Sequence, residues 1–116
     1  MSDQQLRLLK GTLDVLILKT LSWGPAHGYA ISRWLRDSSG NELRIEEGAL
    51  YPALRRLEER DLVESDWVTA ESGHEARVYR LTRTGQQALQ REVSAWNRYM
   101  KVFTRVLKAR PTEARS

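Results

Sequence analysis

Glu46-Glu47-Gly48-Ala49-Leu50-Tyr51-Pro52-Ala53-Leu54-Arg55-Arg56-Leu57-Glu58, with Leu62-Val63-Glu64-Ser65-Asp66-Trp67-Val68-Thr69 and Ala76-Arg77-Val78-Tyr79-Arg80-Leu81 after it, is the stretch that decides the fold. In the first block Leu50, Leu54 and Leu57 recur at i, i+4 and i+7 with Ala53 beside them, which predicts a helix over about residues 48–60. Its opposite face carries Gly48, Tyr51, Pro52, Arg55, Arg56 and Glu59. Pro52 reads as lying near the first turn, where backbone N–H groups have no intrahelical partner, and Gly48 leaves that end open to another backbone. Then the period changes from 3.6 to 2. Residues 62–69 read as a strand, 70–75 as a turn and 76–81 as the returning strand.

Working upstream, Leu13, Leu16, Ile17, Leu18 and Leu21 recur at helical spacing until Ser22-Trp23-Gly24-Pro25 forces a turn. A second helix follows over about residues 28–37, with Tyr29, Ile31, Trp34 and Leu35 as its apolar members, and Ser38-Ser39-Gly40-Asn41 ends it. Short helices around a tight turn, then a hairpin, make a winged helix-turn-helix. Downstream, a last helix starts after Thr82 or Thr84, where Thr84 with Gln87 fits a capping box, and stops before Pro111. Its apolar members Leu89, Val93, Trp96, Met100, Phe103 and Leu107 step by 4, 3, 4, 3 and 4. That 3.5-residue period marks a helix packed lengthwise on another helix. About 38 Å of helix exceeds what a core of this size covers, so the remainder calls for a second copy. The predicted class is α+β, mainly α. A winged-helix domain spans 1–83, a dimerisation helix 84–110 and a flexible tail 111–116.

Composition narrows the function. Apolar residues make up 41% and charged residues 29% of 116 positions, a soluble globular balance for one domain. No apolar run approaches a membrane span, and Met1-Ser2-Asp3-Gln4-Gln5 lacks a secretory pattern, so the expected location is the cytoplasm. The absence of cysteine excludes disulfides, thiol catalysis and thiolate metal sites. The two histidines, His27 and His74, have no clustered carboxylates, so no metal or cofactor is expected. His27 reads as a helix cap or surface residue, and His74 as wing-loop polarity. No nucleophile elbow or phosphate-cradling glycine loop points to an enzyme. Charge is uneven: residues 1–75 hold 9 Lys/Arg and 13 Asp/Glu, a net of −4, whereas residues 76–116 hold 10 and 2, a net of +8. A polyanion partner and a solvated basic helix both fit that distribution.

Lys10-Gly11-Thr12-Leu13-Asp14-Val15-Leu16-Ile17-Leu18 and Gly24-Pro25-Ala26-His27-Gly28-Tyr29-Ala30-Ile31 closely resemble the N-terminal half of PadR-type transcriptional regulators. The Glu46–Glu58 block resembles that family's recognition helix, and Tyr79-Arg80-Leu81-Thr82 its second wing strand. The similarity covers about residues 8–85. It implies a DNA-binding winged helix, a two-fold dimer through the C-terminal helix, and repression relieved by a small aromatic or amphipathic ligand. Two departures stand out. Ala49 replaces the usual Ser or Thr, and Glu75 puts a negative charge in the wing, leaving Arg77 as its basic member.

The resemblance assigns DNA contact to Gly48, Ala49, Tyr51, Pro52, Arg55 and Arg56 on the third helix, Tyr29 and Ser32 on the second, and Arg77 in the wing. Arg55 and Arg56 suit phosphates, with Arg55 within reach of a guanine edge. Pairing with Glu58, Glu59 or Asp61 on a solvated face is the plainer role for both, as core packing is for Tyr29. Trp23, Trp34 and Trp67 read as core or partly buried. Trp96 reads as interface core or, in a dimer, as one wall of a site for a flat aromatic effector. A winged-helix module that binds protein or ligand but not DNA is the competing reading, favoured by the acidic balance of residues 1–75, Ala49 and Glu75.

Overall fold

In the computed structural model, which describes residues 11–112, helices α1 (Thr12–Leu21), α2 (Gly28–Ser38) and α3 (Glu47–Glu59) precede a hairpin, β2 (Val63–Thr69) and β3 (Glu75–Leu81). Helix α4 (Arg83–Lys108) closes the chain, and a two-residue strand, β1 (Ala26–His27), lies between α1 and α2. The first ten residues of the expected domain, and residues 113–116 of the expected tail, lie outside the described residues. The sheet is antiparallel in the order β1-β3-β2. It has three strands where alternation predicts two. Two residues are too few to display a period, and β1 exists because Ala26 and His27 pair with Tyr79 and Val78.

The core forms where the periodic apolar faces meet. Ile17, Leu18 and Leu21 of α1 meet Ile31 and Leu35 of α2, and Leu50, Ala53, Leu54 and Leu57 of α3. Leu62, Val63, Tyr79, Ala88 and Leu89 complete it. Helices α2 and α3 stop in the same way. Gly40 and Asp61 take positive φ, and the N–H groups of Asn41 and Leu62 reach back to the carbonyls of Arg36 (2.8 Å) and Leu57 (2.9 Å).

Three expectations change. Pro52 is the sixth residue of α3, not part of its first turn, so it withholds the N–H that would reach the Gly48 carbonyl. Gly48 accommodates no close neighbour from this chain; a Cβ there would meet no heavy atom within 4 Å. The N-cap of α4 is Thr82 and not Thr84: its Oγ1 accepts from the Gly85 N–H at 2.9 Å and donates to the Asp61 carbonyl at 2.6 Å. Tertiary contact with the end of α3 therefore overrides the local capping-box pattern. The tryptophans are also displaced from their expected places. Trp23 (70% exposed) sits in the turn after α1, Trp67 (64%) in the outer half of the wing, and Trp34 is 38% exposed.

Only the first turns of α4 join the core, through Gly85, Ala88 and Leu89. The rest projects, giving a longest extent of 70 Å and a radius of gyration of 17.8 Å, against about 13 Å for a compact chain near this length. Leu89 is thus a core residue of its own chain, and the exposed part of the predicted stripe begins at Val93.

Candidate nucleic-acid interface

The hairpin register sorts the wing into two faces. Ser65 opposes Tyr79 and Trp67 opposes Arg77, so these four share one face, while Glu64 opposes Arg80 on the other. Tyr79 roots the first face in the core, and burial pushes its phenol up, against the pull of Arg77. Farther out, this face, the exposed side of α3 and the start of α2 enclose an open groove of about 630 Å³. Tyr29, Tyr51, Arg55, Glu58, Trp67 and Arg77 are among its walls.

Local packing explains why these groups point inward. His27, in extended conformation, caps α2 by accepting the Ala30 N–H at Nδ1 (3.1 Å), as a helix-capping role requires. Tyr51 lies across the first residue of α2: a Cβ on Gly28 would stand 2.6 Å from the Tyr51 hydroxyl and 2.9 Å from its ring. Glycine at position 28 is what lets the phenol lie in the groove. Tyr29 is 63% exposed and stacks at 6.4 Å on His27, so it is a surface residue and not core packing.

Of the nine residues expected on the DNA face, the groove unites Tyr29, Tyr51, Arg55 and Arg77. Gly48, Ala49 and Pro52 are exposed along the first turns of α3, outside the groove lining. Ser32 is part-buried behind them, its hydroxyl donating to the Ile45 carbonyl at 3.3 Å, where it steadies the loop entering α3. Arg56 turns toward α1 and pairs with Asp14 at 3.2 Å, a carboxylate 42 positions away and not one of the neighbours expected. Arg77 pairs with Glu58 at 3.4 Å. Arg55 carries no ion pair among the described residues, and it shares the groove with Arg77, Glu58 and Glu75.

Sequence reasoning misses three participants. Large aromatics usually pack in cores, yet the register of Trp67 opposite Arg77 sets it on the groove wall. Glu58, by spacing only a neighbour of the α3 arginines, is instead the partner of a wing residue. Arg44, exposed just before α3 and bonded to Asn41 Oδ1 at 3.2 Å, is a cation beside that helix whose position in the sequence is its one signal.

Residues 17–91 match the model of the transcriptional regulator PadR-like family. The chain belongs to this family. The fold agrees: a transcriptional regulator from Clostridium thermocellum is similar at 29% identity with a TM-score of 0.78, over 85% of this chain and 96% of that one. A PadR family regulator from Eggerthella lenta is 33% identical with a TM-score of 0.77, over 87% and 86% of the two chains. PadR of Bacillus subtilis, solved in complex with operator DNA, shares the fold at 24% identity and a TM-score of 0.66, over 73% of this chain and 48% of that one. As a PadR-like regulator the chain is a winged-helix transcription factor and not an enzyme. Among its described residues no helix is long and apolar enough to cross a membrane.

Proposed function

We propose that this PadR-like chain is a homodimeric repressor that reads palindromic operator DNA, and that a small aromatic effector seated beside Trp96 releases it. The observation that carries the dimer is the uncovered face of α4. Val93, Met100, Phe103 and Leu107 are 38–70% exposed along it, and Tyr99, Val102 and Val106 widen the strip. A continuous apolar strip of this kind marks an interface. Trp96 meets Tyr99 edge-on at 5.6 Å, and Tyr99 stacks on Phe103 at 5.5 Å, an aromatic row suited to a flat ligand.

In the DNA-bound form, Tyr51 and Arg55 enter the major groove from α3 while Gly48, Ala49 and Pro52 offer it a smooth leading edge. Tyr29 touches a neighbouring phosphate. Arg55→Ala should weaken binding to the duplex upstream of the coding region by roughly tenfold, the size of one charged hydrogen bond. The log-affinity slope against log salt should become shallower by about 0.9 per copy. Undiminished affinity in a gel shift at low and physiological salt would remove α3 from the interface.

Gly28→Ala tests Tyr51 without touching it. The new methyl would displace the ring, while the helical backbone gains from alanine. Thermal stability should hold and DNA affinity should drop by roughly tenfold, because one positioned contact is lost. Both are readable on one preparation, and unchanged affinity would exclude the phenol.

One observation favours a second reading, a module that senses ligand or protein without strong DNA binding. The groove's two guanidinium groups, on Arg55 and Arg77, face two carboxylates, on Glu58 and Glu75. Failure of the parent chain to shift the upstream duplex at low salt would select it.

A further inference from the structure

We infer that Glu58 occupies Arg77 in place of a DNA phosphate until the duplex binds, so that it sets how much the wing adds to affinity; this rests on the DNA-binding reading above. Arg77 is held from several sides. Its Nε donates to Ser65 Oγ at 2.8 Å, and that hydroxyl in turn donates to Glu58 Oε2 at 2.8 Å. The guanidinium lies 5.8 Å from the Trp67 ring centre and 5.9 Å from that of Tyr79, within cation–π range of both. These contacts fix the plane of the group at the groove wall and leave Nη1 with no hydrogen bond among the described residues.

The contact with Glu58 is of another kind. Nη2 reaches both carboxylate oxygens at 3.4 Å, well beyond the roughly 2.7–2.9 Å of a tight charge-assisted bond. The side chains are 43% and 33% exposed, so the pair belongs to the weak, solvent-screened sort. A phosphate approaching the groove meets a guanidinium already aimed and anchored by Ser65, Trp67 and Tyr79, whose charge is offset by a carboxylate that Ser65 holds at 2.8 Å but that touches the guanidinium only at 3.4 Å. Exchange of Glu58 for phosphate on Nη1 and Nη2 needs no rebuilding of the wing. It does leave Glu58 anionic beside DNA, a penalty that falls on affinity. Glu58 is therefore a positioning residue with a damping role, one turn along α3 from Arg55, in the same groove.

The test is a double-mutant cycle on the full chain, with the duplex from upstream of its coding region as probe at fixed monovalent salt. Arg77 is exposed and Glu58 half-buried, and unchanged melting temperatures confirm that the variants fold. Glu58→Gln keeps the shape and the Ser65 hydrogen bond but removes the charge. It should tighten binding by roughly tenfold with Arg77 present and by roughly threefold with Arg77→Ala, the difference being the pair that must break. An equal gain in both backgrounds means the pair survives on DNA and overturns the proposal. So does weaker or unchanged binding by Glu58→Gln. A parent chain that binds no duplex at low salt sinks the DNA-binding reading itself, an outcome separable from the other two.

Discussion

Gly85→Ala is expected to destabilise the fold by about 3 kcal/mol and to lower the melting temperature by roughly 10 °C. A Cβ on Gly85 would stand 1.9 Å from the Leu62 carbonyl oxygen and 2.9 Å from its carbon, and neither atom can swing aside as a side-chain tip does. That same carbonyl accepts the Thr82 N–H at 3.2 Å, so moving it breaks the junction that caps α4. The matched control is Gly48→Ala. It meets no heavy atom within 4 Å and should stabilise α3 by about 0.5–1 kcal/mol through reduced backbone entropy. Thermal melts of the two variants should move in opposite directions. A Gly85→Ala chain melting with the parent would mean that α4 does not dock on Leu62 this closely.

The second large effect concerns association. Met100→Glu with Phe103→Glu should convert the protein to a monomer at micromolar concentration, as read by sedimentation velocity. Two-fold symmetry doubles every substitution, so four carboxylates would enter one apolar seam, and unpaired buried charge costs several kcal/mol apiece. Binding to the two-half-site duplex should then fall by about 10²–10⁴-fold, because the second half-site is no longer delivered at high effective concentration. The winged domain should remain folded. Met100 and Phe103 are half-exposed and lie outside the core cluster, which reaches along α4 only to Leu89. A variant that stays dimeric would place the partner on some other surface.

Periodicity made most of this architecture readable in advance. Leu50, Leu54 and Leu57 announce α3, the alternation after Leu62 announces the wing, and the 4-3-4-3-4 stepping along α4 announces a face larger than one chain can cover. What escaped was decided at a distance. The partner of Arg56 lies 42 positions back, and Arg77 is held by a carboxylate 19 positions before it. No local pattern encodes such pairs, so a count of arginines overstates the cations left without a carboxylate partner. The spacing of Thr84 and Gln87 misleads in the same way at the start of α4, where Thr82 prevails because Asp61 is there to receive its hydroxyl. The tryptophans show the limit of composition: a large aromatic ring predicts burial only where an element has a second layer to bury it, and the outer wing has none.

The anchorage of α4 has a mechanical corollary. Thr82 and Gly85 clamp its root onto Asp61 and Leu62, just beyond the end of α3, so the long helix and α3 share one mount. A shaft of about 39 Å carries its tip roughly 0.7 Å sideways for each degree of tilt at that mount. In a paired form, anything that wedges the two shafts apart would swing the reading heads through the same angle, like the jaws of a pair of tongs.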